Sequence, residues 1–274
     1  MWANEMQFGS SGTVRGAQAS RNRLSVRLYA DQDLGSRESQ QDSVAASLPE
    51  YYEERGVLCV LCDGMGGLAD GKAASQTAAD AMISSFYETP PDEPMERVLL
   101  KGCAAAQRAV LALQEAPHDR GTTLVALLVR ESRGTFLSVG DSRLYLYRGG
   151  GLIPLTRDQN KRRSVETLIS LGKLPPEART DRKIRALNQF IGLENLETVD
   201  RPSQSFPLIA GDRLLLMSDG VYEALEPREA LRALSLPGEA AAMELIDQVR
   251  RKHLKRQDNG TVALVDCVAA GAGG

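Results

Sequence analysis

Six apolar residues in succession, Val57 to Cys62, leave this chain few options. A run of that length with no polar interruption predicts a strand buried on both faces. It stops at Asp63, and Gly64, Met65, Gly66 and Gly67 follow. A carboxylate fixed at the end of a buried strand, with glycines that let backbone come close, is suited to holding an ion rigidly.

The arrangement recurs. Leu214 to Met217 runs into Ser218-Asp219-Gly220, and Phe136 to Val139 runs into Gly140-Asp141. Asp258 stands in reverse order, ahead of Asn259-Gly260 and the run Thr261 to Val265, and Asp42 precedes the approach to the central strand. Asp followed by Gly is ordinary turn chemistry, so each acid read alone is only a turn former. Antiparallel pairing, however, sets the start of one strand beside the end of its neighbour. Asp258 is therefore expected next to Asp63 and Asp219, with Asp42 in position to join them. Gathered carboxylates repel one another unless cations neutralise them. Oxygen donors without His or Cys favour magnesium or manganese, and a bridging carboxylate suits two ions roughly 3.5–4 Å apart.

Composition narrows the setting. The 274 residues, 42% hydrophobic and 25% charged, have ordinary globular proportions. A net charge of −3 gives no global pull toward nucleic acid or an anionic membrane. No apolar run approaches the roughly 20 residues of a bilayer span, and the N-terminus lacks a basic start followed by an apolar core. A cytoplasmic protein is the expectation. Cys59 and Cys62 suggest a redox or zinc pair at first sight. Three apart on a strand, they point to opposite faces, so both, with Cys103 and Cys267, are expected to pack in the core.

Residues 1–20 read as a loose tail, 21–268 as a single domain and 269–274 as a short tail. Strands are expected over 24–30, 57–62, 122–129, 135–140, 143–148, 151–155, 213–217 and 261–266. Helices are expected over 72–88, ended by Thr89-Pro90-Pro91, and over 95–115, 227–235 and 239–256. Strands, two helices, strands, helices and a strand do not make the strict alternation of a parallel sheet. The order fits an α+β fold of antiparallel sheets with helices outside. Residues 157–192 break the rhythm and read as a mobile insertion. It is basic at Arg157, Lys161, Arg162 and Arg163 and again at Arg179, Arg182, Lys183 and Arg185, a charge that also reads as a solvated face.

These residues in this order resemble the metal-dependent protein phosphatases of type 2C (the PPM family), over about residues 24 to 267. The likeness rests on Arg37 to Asp42, Asp63-Gly64-Met65-Gly66-Gly67, Gly121-Thr122-Thr123, Gly140-Asp141-Ser142-Arg143, Leu155-Thr156-x-Asp158, Ser218-Asp219-Gly220 and Asp258-Asn259. Met65 gives it a bacterial character. The resemblance implies a four-layer αββα architecture, a central antiparallel β-sandwich between helical layers, with two Mn2+ or Mg2+ ions and sometimes a third at one end. It implies hydrolysis of phosphoserine and phosphothreonine in proteins, with a serine/threonine kinase as counterpart. By the same resemblance Asp63 bridges the ions, Asp219 and Asp258 complete one, the Gly64 carbonyl serves the other, and Asp42 acts through bound water. Asp141 with Asp219 holds the third ion, and Arg37 grips the substrate phosphate, for which its planar donor fork is suited.

The chain departs from the family pattern in places. Asp33-Leu34-Gly35-Ser36-Arg37 is one residue short upstream, so Asp33 is not carried over. Gln41 stands where eukaryotic members have Glu, Met65 replaces their His, and Gln159 follows Asp158 where many relatives have His. Two other readings compete. Gly66 to Ala73 nearly spells a phosphate-binding loop but lacks the closing Ser or Thr and carries an acid at Asp70. The alternative on the same fold is a catalytically weak or inactive phosphoprotein-binding regulator, which the complete acid set argues against.

Overall fold

The computed structural model describes residues 24–66, 70–115, 120–180 and 186–270. The expected N-terminal tail, Gly67, His118 and the basic residues Arg182, Lys183 and Arg185 lie outside them.

In chain order the strands are β1 (Leu24–Asp33), β2 (Ser43–Ala46), β3 (Val57–Cys62), β4 (Gly64–Gly66), β5 (Arg120–Thr122), β6 (Leu124–Arg130), β7 (Arg133–Val139), β8 (Arg143–Arg148), β9 (Gly151–Pro154), β10 (Phe206–Pro207), β11 (Arg213–Met217) and β12 (Gly260–Ala269). The helices are α1 (Tyr52–Arg55), α2 (Asp70–Glu88), α3 (Met95–Leu111), α4 (Lys161–Ser170), α5 (Asp219–Tyr222), α6 (Pro227–Leu234) and α7 (Gly238–Arg251). One five-stranded sheet runs β1-β12-β11-β8-β9 and the other β10-β7-β6-β3-β2, all antiparallel, with β4 and β5 as a separate pair.

Every side chain of β3 is buried, and its alternation divides them between two layers. Val57, Cys59 and Leu61 join the interior between the sheets, facing residues such as Leu144, Leu214 and Val265. Leu58, Val60 and Cys62 pack beneath α2 and α3, against Ala74, Ala78, Leu99 and Cys103. A third layer lies between the first sheet and α5, α6 and α7, with Leu215, Leu264, Leu245 and Ile246 at its centre. This is the expected α+β sandwich in four layers, αββα. Each such apolar side chain contributes roughly 1.5–3 kcal/mol on burial, so the three layers together hold the sheet ends fixed. The four cysteines are free and buried, with Cys59 and Cys62 in different layers as strand geometry requires.

Several expected boundaries are corrected. The strand expected over 122–129 is two strands, divided at Thr123, whose side chain turns to the Asp63 backbone. The helix expected to 115 ends at Leu111, because Gln114 reaches across to the carbonyls of Arg120 and Gly192. The helix expected to 256 ends at Arg251, just before His253 adopts φ +48°. β2, β4, β5 and β10 were not expected: they are short, and neighbouring strands define them. The insertion carries α4; the bridge Asn160↔Leu187 joins its two limbs, and Thr122↔Ile191 ties it to the scaffold. Among the described residues no helix is long and apolar enough to cross a membrane.

Candidate metal centre

Register brings the acids to one end of the sandwich. Ser43 pairs with Cys62, so Asp42 and Asp63 lie side by side at the end of one sheet. Met217 pairs with Val262, which brings Asp219, just past the end of β11, and Asp258, two residues before β12, to the same end of the other sheet. The β7–β8 turn, with Asp141, crosses from one sheet to the other at that end, since Leu124 pairs with Val139 and Met217 with Arg143.

Asp42 joins the sheets. Its Oδ2 accepts hydrogen bonds from Ser218 Oγ (2.8 Å) and Thr261 Oγ1 (2.6 Å), while the Thr261 N–H donates to Ser218 Oγ (2.9 Å). Next to it the Gln41 N–H donates to Asn259 Oδ1 at 2.8 Å, a second link between the sheets. Lys72, from the first turn of α2, donates to the Asp42 carbonyl at 2.9 Å and to Ser43 Oγ at 3.0 Å. The backbone of Asp63 is held as firmly. Its N–H donates to Thr123 Oγ1 (2.9 Å), and its carbonyl accepts from Thr122 Oγ1 (2.9 Å) and the Thr123 N–H (2.9 Å). Two glycines permit the crowding: a Cβ at Gly64 would run into the Gly71 carbonyl, and one at Gly220 into the Asn259 carbonyl. Gly64 thus stands beside Asp63 with backbone alone to offer.

The outer acids are turned to protein partners. Asp258 accepts its own neighbour's N–H (Asn259, 2.8 Å) with Oδ1, and pairs through Oδ2 with Arg37 Nη2. Arg37 stands at the mouth, its side chain 53% exposed. Asp141 accepts from Asn160 Nδ2 at 3.2 Å. Asp33, which the family pattern did not reach, pairs instead with Arg250 Nε at 2.8 Å.

Electrostatics shows the strain of the grouping. Burial first, and then the neighbouring charges of Asp42, Asp219, Asp258 and Asp141, push Asp63 well above the usual carboxylate range. Asp219 is pushed up to about 7, by burial and then by Asp141 and Asp258. Asp42 and Asp141 rise to about 6, both chiefly through burial, with the Thr261 and Ser218 hydroxyls and the Asn160 amide working in the opposite direction. Asp63, Asp141 and Asp219 each keep a solvent window, so these carboxylates are crowded among protein groups without being sealed off.

The donor set fits a divalent cation. Asp42 is 1% exposed, and its Oδ1 is buried with no hydrogen-bond partner among the described residues. An acceptor left so beside mutually repelling carboxylates is the chemistry a hard cation and its waters satisfy. Among the described residues no three His, Cys, Asp or Glu side chains already form a closed ligand set. Asp258 is engaged with Arg37 and would turn from it to complete one, while Asp141 has one carboxylate oxygen held by Asn160.

All seven residues singled out in the sequence (Arg37, Asp42, Asp63, Gly64, Asp141, Asp219 and Asp258) therefore lie at this one end. The residues that hold them have no role assigned from the sequence: Ser218 and Asn259 stand in the quoted motifs only as neighbours of their acids, and Thr261, Lys72 and Asn160 give no local signal of a part in the site.

Known proteins are similar to this chain in sequence and fold. The chain is 34% identical over 255 residues to the serine/threonine protein phosphatase PstP of Mycobacterium tuberculosis, a match covering 89% of this chain and 46% of that protein. It thus spans about half the length of that relative. The crystal structure of Mycobacterium tuberculosis PstP/Ppp superposes with a TM-score of 0.73 at 31% identity, covering 89% of this chain and 99% of that one. The catalytic domain of PstP in complex with two manganese ions gives 0.69 at 30% identity, covering 89% and 99%. The family model described as Protein phosphatase 2C matches residues 33–257, taking in Arg37, Asp42, Asp63, Asp141 and Asp219 and ending one residue before Asp258. With more than half its length matched, the chain belongs to the protein phosphatase 2C family.

Proposed function

We propose that this chain is a metal-dependent protein serine/threonine phosphatase, acting on phosphoserine and phosphothreonine with Mn2+ or Mg2+. The observation that carries it is the meeting of Asp63 with Asp42, Asp141, Asp219 and Asp258 at one end of the sandwich, each raising the pKa of Asp63. The names of the relatives and the two manganese ions in the PstP complex support the reading.

In this reading Asp63, Asp219 and Asp258 would hold one cation, and Asp63 with the Gly64 carbonyl would hold another. Asp141 and Asp219 would hold a third. Divalent cations bound there would supply charge neutralisation and would lower the pKa of a water so that it is available as the nucleophile toward phosphorus. Asp42, fixed through Oδ2 by Ser218 and Thr261, has its Oδ1 left without a partner among the described residues, and that oxygen would orient a water held at the site. Arg37, at the mouth, exchanges its contact with Asp258 for the substrate phosphate. No serine, cysteine or histidine nucleophile enters, in keeping with thiols that burial pushes up to about 12 at Cys59, Cys103 and Cys267.

Residues 21–268 form one catalytic domain in this proposal, with phosphoproteins as partners and a serine/threonine kinase as counterpart. A cytoplasmic setting accords with four buried free thiols. The test is the initial rate on a phosphothreonine peptide and on para-nitrophenyl phosphate, with manganese and with chelator, beside Asp219→Asn. Turnover that needs manganese and is lost in the variant is expected. Absence of turnover above background in any divalent metal would favour the non-catalytic binding module.

A further inference from the structure

Three successive residues at the base of the insertion meet three residues of the β7–β8 turn. Asp158 takes both arms of the Arg143 guanidinium, at 2.9 and 2.8 Å. Gln159 donates its N–H to the Gly140 carbonyl (2.9 Å), and its Oε1 accepts the Gly140 N–H (2.8 Å). Asn160 donates Nδ2 to Asp141 Oδ2 (3.2 Å). The other limb of the insertion is tied to the same base, with the Asn188 N–H on the Gln159 carbonyl and the Lys161 N–H on the Ala186 carbonyl.

Asn160 is the member of this seam whose presence stability does not explain. It is 6% exposed, and its Oδ1 is buried with no partner among the described residues. It begins α4 without capping that helix through its side chain. A buried acceptor left unsatisfied lowers stability, so the amide's oxygen gives the fold nothing that would account for an asparagine here. What the amide does provide is a neutral donor fixed on one oxygen of the Asp141 carboxylate, at 3.2 Å.

We propose that Asn160 is a positioning residue: it holds the Asp141 carboxylate in orientation for a divalent cation and fastens the insertion to that carboxylate, so that cation binding at Asp141 and the seating of the insertion form one unit. The proposal rests on the reading of Asp141 as a metal ligand. Loss of outer support of this kind typically weakens metal binding by about 10–100-fold.

The test is manganese titration calorimetry on the substrate-free protein, comparing wild type, Asp141→Ala and Asn160→Leu, with melting temperatures for each. Asp141→Ala identifies the binding event that depends on that carboxylate. Asn160→Leu is expected to weaken the same event about tenfold or more and leave the tighter events unchanged, with a melting temperature lowered by no more than the loss of one buried hydrogen bond. If leucine does not fit, Asn160→Ala takes its place with the same expected loss of binding. An event that vanishes in Asp141→Ala but is untouched by either Asn160 variant overturns the positioning role alone. Isotherms that Asp141→Ala leaves unchanged overturn the ligand reading of Asp141, and the proposal with it.

Discussion

Asp63 is held well above the usual carboxylate range by burial and by the acids around it. It is surrounded by four other acids, and its backbone is pinned at both N–H and carbonyl, so it has no room to turn away. Replacing it with asparagine removes the repulsion while keeping the shape. Without metal, Asp63→Asn is expected to melt at a higher temperature than wild type, as replacement of uncompensated buried charge commonly allows. Its turnover should fall by more than the 10–100-fold typical of losing a ligand's outer support. Calorimetry and rate assays on one preparation check both; a destabilised but active variant contradicts the role given to Asp63. Arg37→Ala removes a charge-assisted contact with phosphate worth about 1.5–3 kcal/mol. It should lower kcat/KM by roughly 10–150-fold, mostly through KM, and unchanged kinetics would remove Arg37 from the site.

At the scale of elements, the decisive feature is that strand ends, not strand bodies, carry the chemistry. β3 and β11 were legible because unbroken apolar runs fully buried on both faces have one simple reading, and their terminal acids came with them. β2, β4 and β5 were not, because Ser43–Ala46, Gly64–Gly66 and Arg120–Thr122 are too short and too mixed to show a period. Asp42 could be named from the sequence, but its grip by Ser218 and Thr261, 176 and 219 residues away along the chain, follows from sheet pairing that local pattern does not encode. The close passage of β4 against α2 yields a further prediction. Gly64→Ala forces a Cβ into the Gly71 carbonyl, which is backbone and cannot swing aside. The variant should lose about 1–3 kcal/mol, as overpacking does, together with manganese-dependent turnover; denaturant melts and rate assays measure the two. Full stability would show that β4 and α2 are not packed as described.

For the molecule as a whole, the acid cluster makes stability depend on pH and on cations. Asp42 and Asp141 at about 6 and Asp219 at about 7 stand above the ordinary carboxylate value of 3.8. In the absence of divalent cations the folded chain therefore binds protons that the unfolded chain has released. Stability falls as pH rises from about 4 through about 7, and recovers on acidification through the same window. Manganese should reverse the trend, because cations compete with those protons and bind best where the carboxylates are ionised. At a hundredfold excess over the dissociation constant, each ion adds about 2.7 kcal/mol. Thermal melts across that range, with chelator and with manganese, should give slopes of opposite sign. Parallel curves would mean that the acids do not share a cation site.

Diffraction from manganese-soaked crystals, with data collected at the manganese absorption edge, tests the central claim most directly. Anomalous peaks are expected among the carboxylate oxygens of Asp63, Asp219 and Asp258, with Asp258 turned from Arg37 toward the ion. Peaks elsewhere on the surface, or none at this end of the sandwich in crystals that otherwise take up manganese, would contradict it.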